Sequence, residues 1–191
     1  MSGAAPPRAL VVLAPGAEEM EATITVDVLR RAKVEVLVAG LEGPGPVTCS
    51  RGVRLVPDLA LADARGPFDL VALPGGAAGA RALAASAELG RILREQEAQG
   101  RPIAAVCAAP IALAAHGVGR GRAMTCHPSV RDRVAPHARL APGRVVEDGP
   151  FTTSQGPGTS FDFALALVRR LCGEAAAAEV RAPMMLDAEG A

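Results

Sequence analysis

The chain has 191 residues, and its 20 basic and 20 acidic side chains give a formal net charge of zero. Hydrophobic residues make up 50% of it and aromatic residues only 2%, so aliphatic side chains and alanine must fill the interior. This length and apolar content fit one domain with its own core. The neutral charge argues against sequence-specific nucleic-acid binding, and the single lysine, Lys33, excludes a P-loop and any Schiff-base chemistry elsewhere.

Neither a targeting segment nor a membrane span is predicted. The longest apolar run, 103–115, is interrupted by Pro110 and is shorter than the roughly 18 residues that a spanning helix needs. The cysteines are scattered, without a Cys-x-x-Cys pair, at Cys49, Cys107, Cys126 and Cys172. This usage predicts free thiols in a cytoplasmic protein, and neither a disulfide framework nor a metal site.

Strand-like and helix-like segments alternate along the chain. Apolar runs predict strands at 9–14, 34–39, 68–73, 102–106, 123–125 and 151–154, with a small hairpin across 47–56. Helical spacing predicts helices at about 18–32, 86–99 and 108–116, and a final long helix after 156–158 with Thr159 as its N-cap and Asp162 three residues on. This alternation predicts one α/β domain whose mostly parallel sheet is covered on both faces.

In open α/β sheets, ligands bind at the carboxyl ends of the strands, and three predicted strand ends carry reactive or donor groups: 16–21, 74–79 and 107–109. Cys107 lies where a buried strand turns directly into a helix, as in a nucleophile elbow. The adjacent helix N-terminus predicts a lowered pKa and a reactive thiolate. The alternative interpretation, from the pattern alone, is a buried cysteine that acts as a small hydrophobe.

The two neighbouring strand ends offer backbone donors and carboxylates. The turn at 74–76 and the N–H of Ala108 predict an oxyanion hole beside Cys107, although a plain turn also explains the glycines. The acidic run 18–21 occupies a first helical turn, where the helix dipole stabilises carboxylates whatever their function. Glu21 borders the apolar face, where burial raises a carboxyl pKa, but spacing alone does not select it over its neighbours.

Of the three histidines, only His127 is a candidate site residue. It follows a predicted short strand that ends near the site, and a Cys–His pairing with Cys107 competes there with an ordinary loop histidine. His116 closes a helix and is interpreted as structural, and His137 is predicted to be exposed in a polar loop. Cys126 beside His127 lacks a second ligand pair at zinc-like spacing, so no metal site is predicted.

Several segments resemble the DJ/ThiJ/PfpI family, most closely its animal branch of deglycases. They follow one another from about residue 8 to 187: GAEEMEATITVDVLRRA, VTCSRGV, LPGGAAGA, AAVCAAPIALAAHG, HPSV, SQGPGTSFDFALALV and VRAP. The resemblance implies a single domain over 1–191 with a flavodoxin-like three-layer α/β sandwich, and flexible ends at about 1–7 and 188–191. It also implies a homodimer and no cofactor.

The resemblance assigns a role to each candidate residue. Cys107 would be the elbow nucleophile, Glu21 the protonated carboxyl that hydrogen-bonds it, and His127 the nearby histidine. Gly76 and Ala108 would supply the oxyanion N–H groups. The remaining assignments concern the dimer interface and the pocket: Arg31, Arg51 and Cys49, the last as a less reactive second cysteine.

Four positions depart from the family's pattern. Ala108 stands where protease-like members have a histidine, which argues against proteolysis by a tight Cys–His pair. Relative to the animal branch, Val56 replaces a cysteine and Gln155 replaces an arginine. Cys126 replaces a threonine. The chain therefore lacks one modifiable thiol and one positive charge, and it gains another thiol.

The resemblance implies a deglycase or glyoxalase acting on methylglyoxal or glyoxal and on their adducts with proteins and nucleotides. The alternative is a redox sensor and redox-activated chaperone of the oxidative stress response that shares the Cys107 thiol. Further implications are a link to DNA repair and a cytoplasmic location with nuclear and mitochondrial pools. An amidotransferase ranks low, because its triad needs a late histidine with a carboxylate two residues away, and Pro128 and Ser129 follow His127.

Overall fold

The structure is a computed structural model that describes residues 5–186. Of the predicted flexible ends, 1–4 and 188–191 lie outside these residues. The strands are β1 Arg8–Leu13, β2 Glu35–Gly40, β3 Val47–Thr48, β4 Arg54–Leu55, β5 Leu59–Ala60, β6 Leu70–Leu73, β7 Ile103–Val106, β8 Ala123–Met124, β9 Arg139–Leu140, β10 Val145–Asp148 and β11 Phe151–Ser154. The helices are α1 Glu19–Arg31, α2 Ala77–Ala85, α3 Ala87–Ala98, α4 Pro110–His116, α5 Arg131–Val134, α6 Ser160–Cys172 and α7 Glu174–Arg181.

Seven of these strands form a central sheet in the order β10-β11-β7-β6-β1-β2-β5. All neighbours are parallel except β10, which runs antiparallel to β11 at one edge. Helices α1, α6 and α7 pack together on one face, and α2, α3 and α4 pack together on the other. The strands β6 and β7 are buried at every residue, as expected for central parallel strands covered on both sides. The predicted three-layer α/β sandwich is confirmed.

One helix was not predicted, and another begins later than predicted. Helix α2 begins at Ala77, directly after the glycine turn, and its N-cap residue, Gly76, has no side chain that would mark this start in the sequence. Helix α3 begins where it was predicted, after Ser86, which caps it by accepting a hydrogen bond from Leu89 N at 3.2 Å. Helix α4 begins at Pro110 instead of residue 108, because 107–109 form the elbow.

The C-terminal helix is two helices, α6 and α7, separated at Gly173. Thr159 occupies the N-cap position of α6, but its hydroxyl bonds Gly156 and Ser154 and does not cap the helix. Asp162 pairs with Arg144 at 2.7 Å. The short elements β5, β9, β10 and α5 were not predicted, because segments of two to four residues carry too little periodicity. Within the described residues, every helix is too short or too polar to span a lipid bilayer.

Candidate active site

The site lies at the carboxyl ends of three adjacent parallel strands, β1, β6 and β7. Cys107 follows β7, the 74–76 turn follows β6, and Glu21 stands in the first turn of α1 after β1. Parallel neighbours end at the same edge of a sheet, so residues far apart in sequence meet there. The structure thus brings Cys107, Glu21, Gly76 and Ala108 together, which are the four residues that the resemblance groups, and the roles it assigns to them stay predictions.

Cys107 has the backbone of a strained elbow. Its φ of 62° lies in the left-handed region, where a residue other than glycine costs about 1–3 kcal/mol. Neighbouring backbone holds it there: Cys107 N donates to Ser154 O at 2.9 Å, and Cys107 O accepts from His127 N at 2.8 Å. The side chain is buried except for 9% of the residue's surface. This conformation places Cys107 Sγ at the carboxyl end of the sheet and restricts its movement.

The glycine turn after β6 leaves no room for larger residues. A Cβ on Gly75 would lie 2.7 Å from Cys107 Cβ and 2.8 Å from Glu21 Oε2. Gly76 has a φ of 87°, and a Cβ there would lie 2.4 Å from Gly16 O. The backbone N–H groups of Gly76 and Ala108 hydrogen-bond the Cys107 sulfur and donate to no backbone carbonyl among residues 5–186. Both N–H groups therefore lie beside the sulfur, and their oxyanion role stays a prediction.

Glu21 is the carboxyl that the fold selects from the acidic run. It has no exposed surface, and its Oε2 accepts a hydrogen bond from Gly75 N at 2.7 Å. Glu18 instead caps helix α1 by accepting from Glu21 N at 2.8 Å. Burial raises the pKa of Glu21 to about 7, against the lowering effect of hydrogen bonds from Gly75 and Cys107. Glu21 Oε1 is buried without a conventional partner among the described residues.

The predicted low pKa of Cys107 is wrong. Burial, followed by the charge of the Glu21 carboxylate, raises the pKa of Cys107 to about 12, and the N–H groups of Gly76 and Ala108 only reduce the rise. The helix begins three residues later, so its dipole is a weak influence at the sulfur. With the Glu21 pKa at about 7 and the Cys107 pKa at about 12, the pair gains a single negative charge, on Glu21, as the pH rises through neutrality. Transfer of a proton from Sγ to Glu21 would place that charge on sulfur.

His127 reaches Cys107 through its backbone and not through its ring. Its Nδ1 accepts from Ser129 N at 3.2 Å and lies 2.8 Å from Ser129 Oγ. No hydrogen bond joins the ring to Cys107 in the described part of the chain, and His127 is not among the groups that shift the Cys107 pKa. The predicted Cys–His pairing is absent from this arrangement.

The residues assigned to the pocket and the interface lie further out. Cys49 is buried against Leu13, Ala17 and Ala22, and burial followed by two nearby carboxylates raises its pKa. Arg51 is exposed at the tip of the β3–β4 hairpin. Arg31 pairs with Asp27 at 2.6 Å on the outer side of α1, about 15 Å along the helix from Glu21. These assignments stay predictions.

The side chains of His116, His137 and Cys126 are not among the groups that contact the Cys107 sulfur in the described part of the chain. His137, predicted to be exposed, is buried, because 131–140 folds back on the chain and His137 Nε2 lies 2.7 Å from Val118 O. His116 closes α4 with Nε2 2.9 Å from Leu83 O. Cys126 is buried in a separate cavity of about 200 Å³. Between residues 5 and 186, no three His, Cys, Asp or Glu side chains lie close enough together to hold a metal ion.

Fold and site together define a flavodoxin-like α/β domain with a cysteine elbow opposite a buried carboxyl. The profile of the DJ-1/PfpI family matches residues 7–170, and the chain belongs to that family. Parkinson disease protein 7 homolog of Danio rerio is 50% identical over 94% of this chain and 97% of its own. Glutathione-independent glyoxalase DJR-1.2 of Caenorhabditis elegans is 42% identical over 89% and 91%. The crystal structure of Drosophila melanogaster DJ-1beta superposes with a TM-score of 0.93 at 46% identity, covering 95% of this chain and 98% of the other.

Substituting Glu21 with glutamine is expected to flatten the dependence of stability on pH. Folding raises the Glu21 pKa from 4.5 to about 7, so the folded state holds an extra proton between these values. The free energy of unfolding then falls as pH rises through this window, by about 3 kcal/mol. Urea denaturation at several pH values between 4.5 and 7.5 measures it, with the exposed Glu88→Gln as the control. Parallel profiles for wild type and Glu21→Gln would contradict the prediction.

Proposed function

We propose that the protein is a cysteine-dependent glyoxalase and deglycase that needs no cofactor and acts on methylglyoxal, glyoxal and their adducts on proteins and nucleotides. The observation that carries the proposal is the position of the Cys107 sulfur, between a buried carboxyl whose pKa is raised to about 7 and two backbone N–H groups that hydrogen-bond the sulfur. The name of the Caenorhabditis elegans relative, a glutathione-independent glyoxalase, supports the same chemistry. On adducts, the reaction would be a hydrolysis that releases the free amine.

In the proposed reaction, Cys107 Sγ attacks the aldehyde carbon of methylglyoxal and passes its proton to Glu21. The resulting oxyanion accepts hydrogen bonds from the N–H groups of Gly76 and Ala108 and is then protonated to a hemithioacetal. Loss of the C–H proton gives an enediol, and protonation at the former ketone carbon gives a lactoyl thioester. Water cleaves the thioester to lactate and restores the thiol, so the net reaction adds one water. A carboxyl with a pKa of about 7 both accepts and returns protons at neutral pH.

The test is lactate formation from methylglyoxal at neutral pH, without added thiol or cofactor, by wild type and by Cys107→Ser. The wild type is expected to form one lactate for each methylglyoxal consumed. Consumption without lactate would indicate simple trapping by thiols and arginines and would reject the enzyme. Equal rates for the two proteins would remove Cys107 from the reaction.

A second candidate function is redox sensing at the same thiol. It is favoured by Glu21, whose buried Oε1 lacks a partner and whose raised pKa provides a proton to hydrogen-bond a Cys107 sulfinate. Two equivalents of peroxide would add two oxygens to the sulfur and leave two waters. In a peroxide titration followed by intact mass and peptide mapping, this role predicts selective addition at Cys107. Oxidation spread evenly over Cys49, Cys126 and Cys172 would count against it.

We propose that the protein is a homodimer and acts in the cytoplasm, with nuclear and mitochondrial pools. Exposed apolar side chains beside α1 and on the hairpin support self-association: Met20, Val53 and Val56. Of these, Val56 lines a groove of about 330 Å³ together with Val26 and Leu55. Free thiols at all four cysteines fit a reducing compartment. A monomeric mass in sedimentation velocity would reject the dimer.

A further inference from the structure

The β3–β4 hairpin stands apart from the central sheet and is attached to it beside the candidate site. The hairpin forms its own two-stranded sheet. Its backbone bonds the segment that follows β1, where Gly16 N donates to Thr48 O at 2.9 Å and Ser50 N donates to Ala17 O at 2.8 Å. An isolated two-stranded ribbon is marginally stable, so its position depends on these attachments.

Glu19 adds a side-chain latch to this attachment. Glu19 Oε2 accepts from Ser50 Oγ at 2.7 Å, and Oε1 accepts from Arg51 N at 2.8 Å. Both oxygens are thus committed to residues more than 30 positions away, and Glu19 is buried. Burial acts to raise the pKa of Glu19, but the hydrogen bonds from Ser50 and from backbone N–H groups outweigh it and leave the pKa below its ordinary value. If Glu19 only stabilised the N-terminus of α1, its carboxylate would not need hydrogen bonds to Ser50 and Arg51.

The segment under the hairpin continues directly to the oxyanion turn. On its other side, Gly79 N donates to Gly16 O at 3.2 Å, and Glu18 N donates to Gly75 O at 3.1 Å. The approach is close, since a Cβ on Gly76 would lie 2.7 Å from Glu18 N. The backbone is therefore contiguous from the hairpin through segment 16–18 to the glycine turn. A displacement of the hairpin would shift the N–H groups of that turn, which lie beside Cys107.

We propose that Glu19 is a positioning residue, which latches the β3–β4 hairpin onto segment 16–18 and thereby holds the N–H groups of Gly75 and Gly76 against Glu21 and Cys107. The proposal deepens the proposed function, and only its turnover readout rests on that function. It predicts that loss of the latch loosens the hairpin and weakens both N–H contacts. Each of these hydrogen bonds lowers the pKa of the group that it contacts.

The test compares Glu19→Gln with Glu88→Gln. Glu88 also lies in the first turn of a helix, α3, but it pairs with exposed Arg91, so the control loses the same charge and dipole interaction without a hairpin contact. Amide exchange across 47–55 is expected to be about tenfold faster in Glu19→Gln and unchanged in Glu88→Gln. Glutamine keeps an acceptor for Arg51 N and can donate to Ser50 Oγ, so exchange equal to that of the wild type in both Glu19→Gln and Ser50→Ala would overturn the latch. Ser50→Ala, which removes one contact without a change of charge, gives the same test if Glu19→Gln does not fold.

The rate of Cys107 alkylation at a fixed pH of about 8 separates positioning from mere charge. Weaker N–H contacts would slow alkylation in Glu19→Gln and Ser50→Ala, whereas loss of the Glu19 charge alone would speed it. An unchanged or faster rate would overturn the positioning role. In a lactate-forming enzyme, kcat is expected to fall about tenfold with little change in KM, because the donors serve the transition state. If the wild type forms no lactate, the proposed function fails while exchange and alkylation still decide the role of Glu19.

Discussion

Replacing Cys107 with serine is expected to lower kcat/KM for methylglyoxal by about 10³-fold or more, with the fold preserved. Serine is close to cysteine in shape and suits the same elbow, so the 62° φ and its backbone hydrogen bonds are retained. A hydroxyl is far less acidic than a thiol, and a carboxyl with a pKa of about 7 is too weak a base to activate it. The loss would therefore fall on kcat.

Lactate formation under saturating and subsaturating methylglyoxal measures this effect. Cys126→Ser is the matched control, because it makes the same atom exchange at a buried thiol in a separate cavity. Activity of Cys126→Ser is expected to stay within about twofold of wild type. Comparable losses in the two variants would show that general damage, and not the nucleophile, causes the effect.

Substituting Gly75 with alanine is expected to lower the rate of lactate formation about 100-fold. It is also expected to lower the free energy of unfolding by about 3 kcal/mol. The added Cβ would meet Cys107 Cβ and Val106 O, each at 2.7 Å, and Glu21 Oε2 at 2.8 Å. Two of these atoms belong to a buried strand end and a strained elbow, which are not free to move. The Glu21 carboxyl would be displaced from its hydrogen bond to Gly75 N, and the site would lose its geometry.

Gly45→Ala is the control for this substitution, since a Cβ at Gly45 has no neighbour within 4 Å and its backbone is not left-handed. Denaturant unfolding and lactate formation on the two variants separate steric conflict from the general effect of a glycine replacement. If Gly75→Ala kept the stability and turnover of the wild type, the space between Gly75, Cys107 and Glu21 would have to be large enough for a Cβ, and the prediction would be contradicted.

Much of the site was predictable because its motifs are visible in the sequence and a rule of parallel sheets places them together. The strand-to-helix transition at Cys107, the paired glycines after 68–73 and the acidic run after 9–14 are visible in the sequence. The rule that parallel strands present their carboxyl ends at one edge then places them side by side. The resemblance to a family added the choice of Glu21, which spacing alone left open.

Whether the pKa of Cys107 is raised or lowered was not predictable from the sequence. It depends on burial and on a carboxylate 86 positions earlier in the chain, and both outweigh the local helix end. The same holds for His137, whose polar flanks predict exposure while a long-range contact to Val118 buries it. The latch between Glu19 and the hairpin also has no local signature, since Glu19 looks like any first-turn carboxylate.

The alternation of strand-like and helix-like segments was enough to predict the α/β class, and the reactive groups at three strand ends were enough to predict the edge of the sheet that carries the candidate site. Which carboxyl is buried, which histidine ring is turned away and how the thiol titrates followed only from side chains that meet across the fold. The physical reason is that periodicity reports which face of an element is apolar. The pKa of a group reports its whole surroundings, which chain neighbours supply only in part.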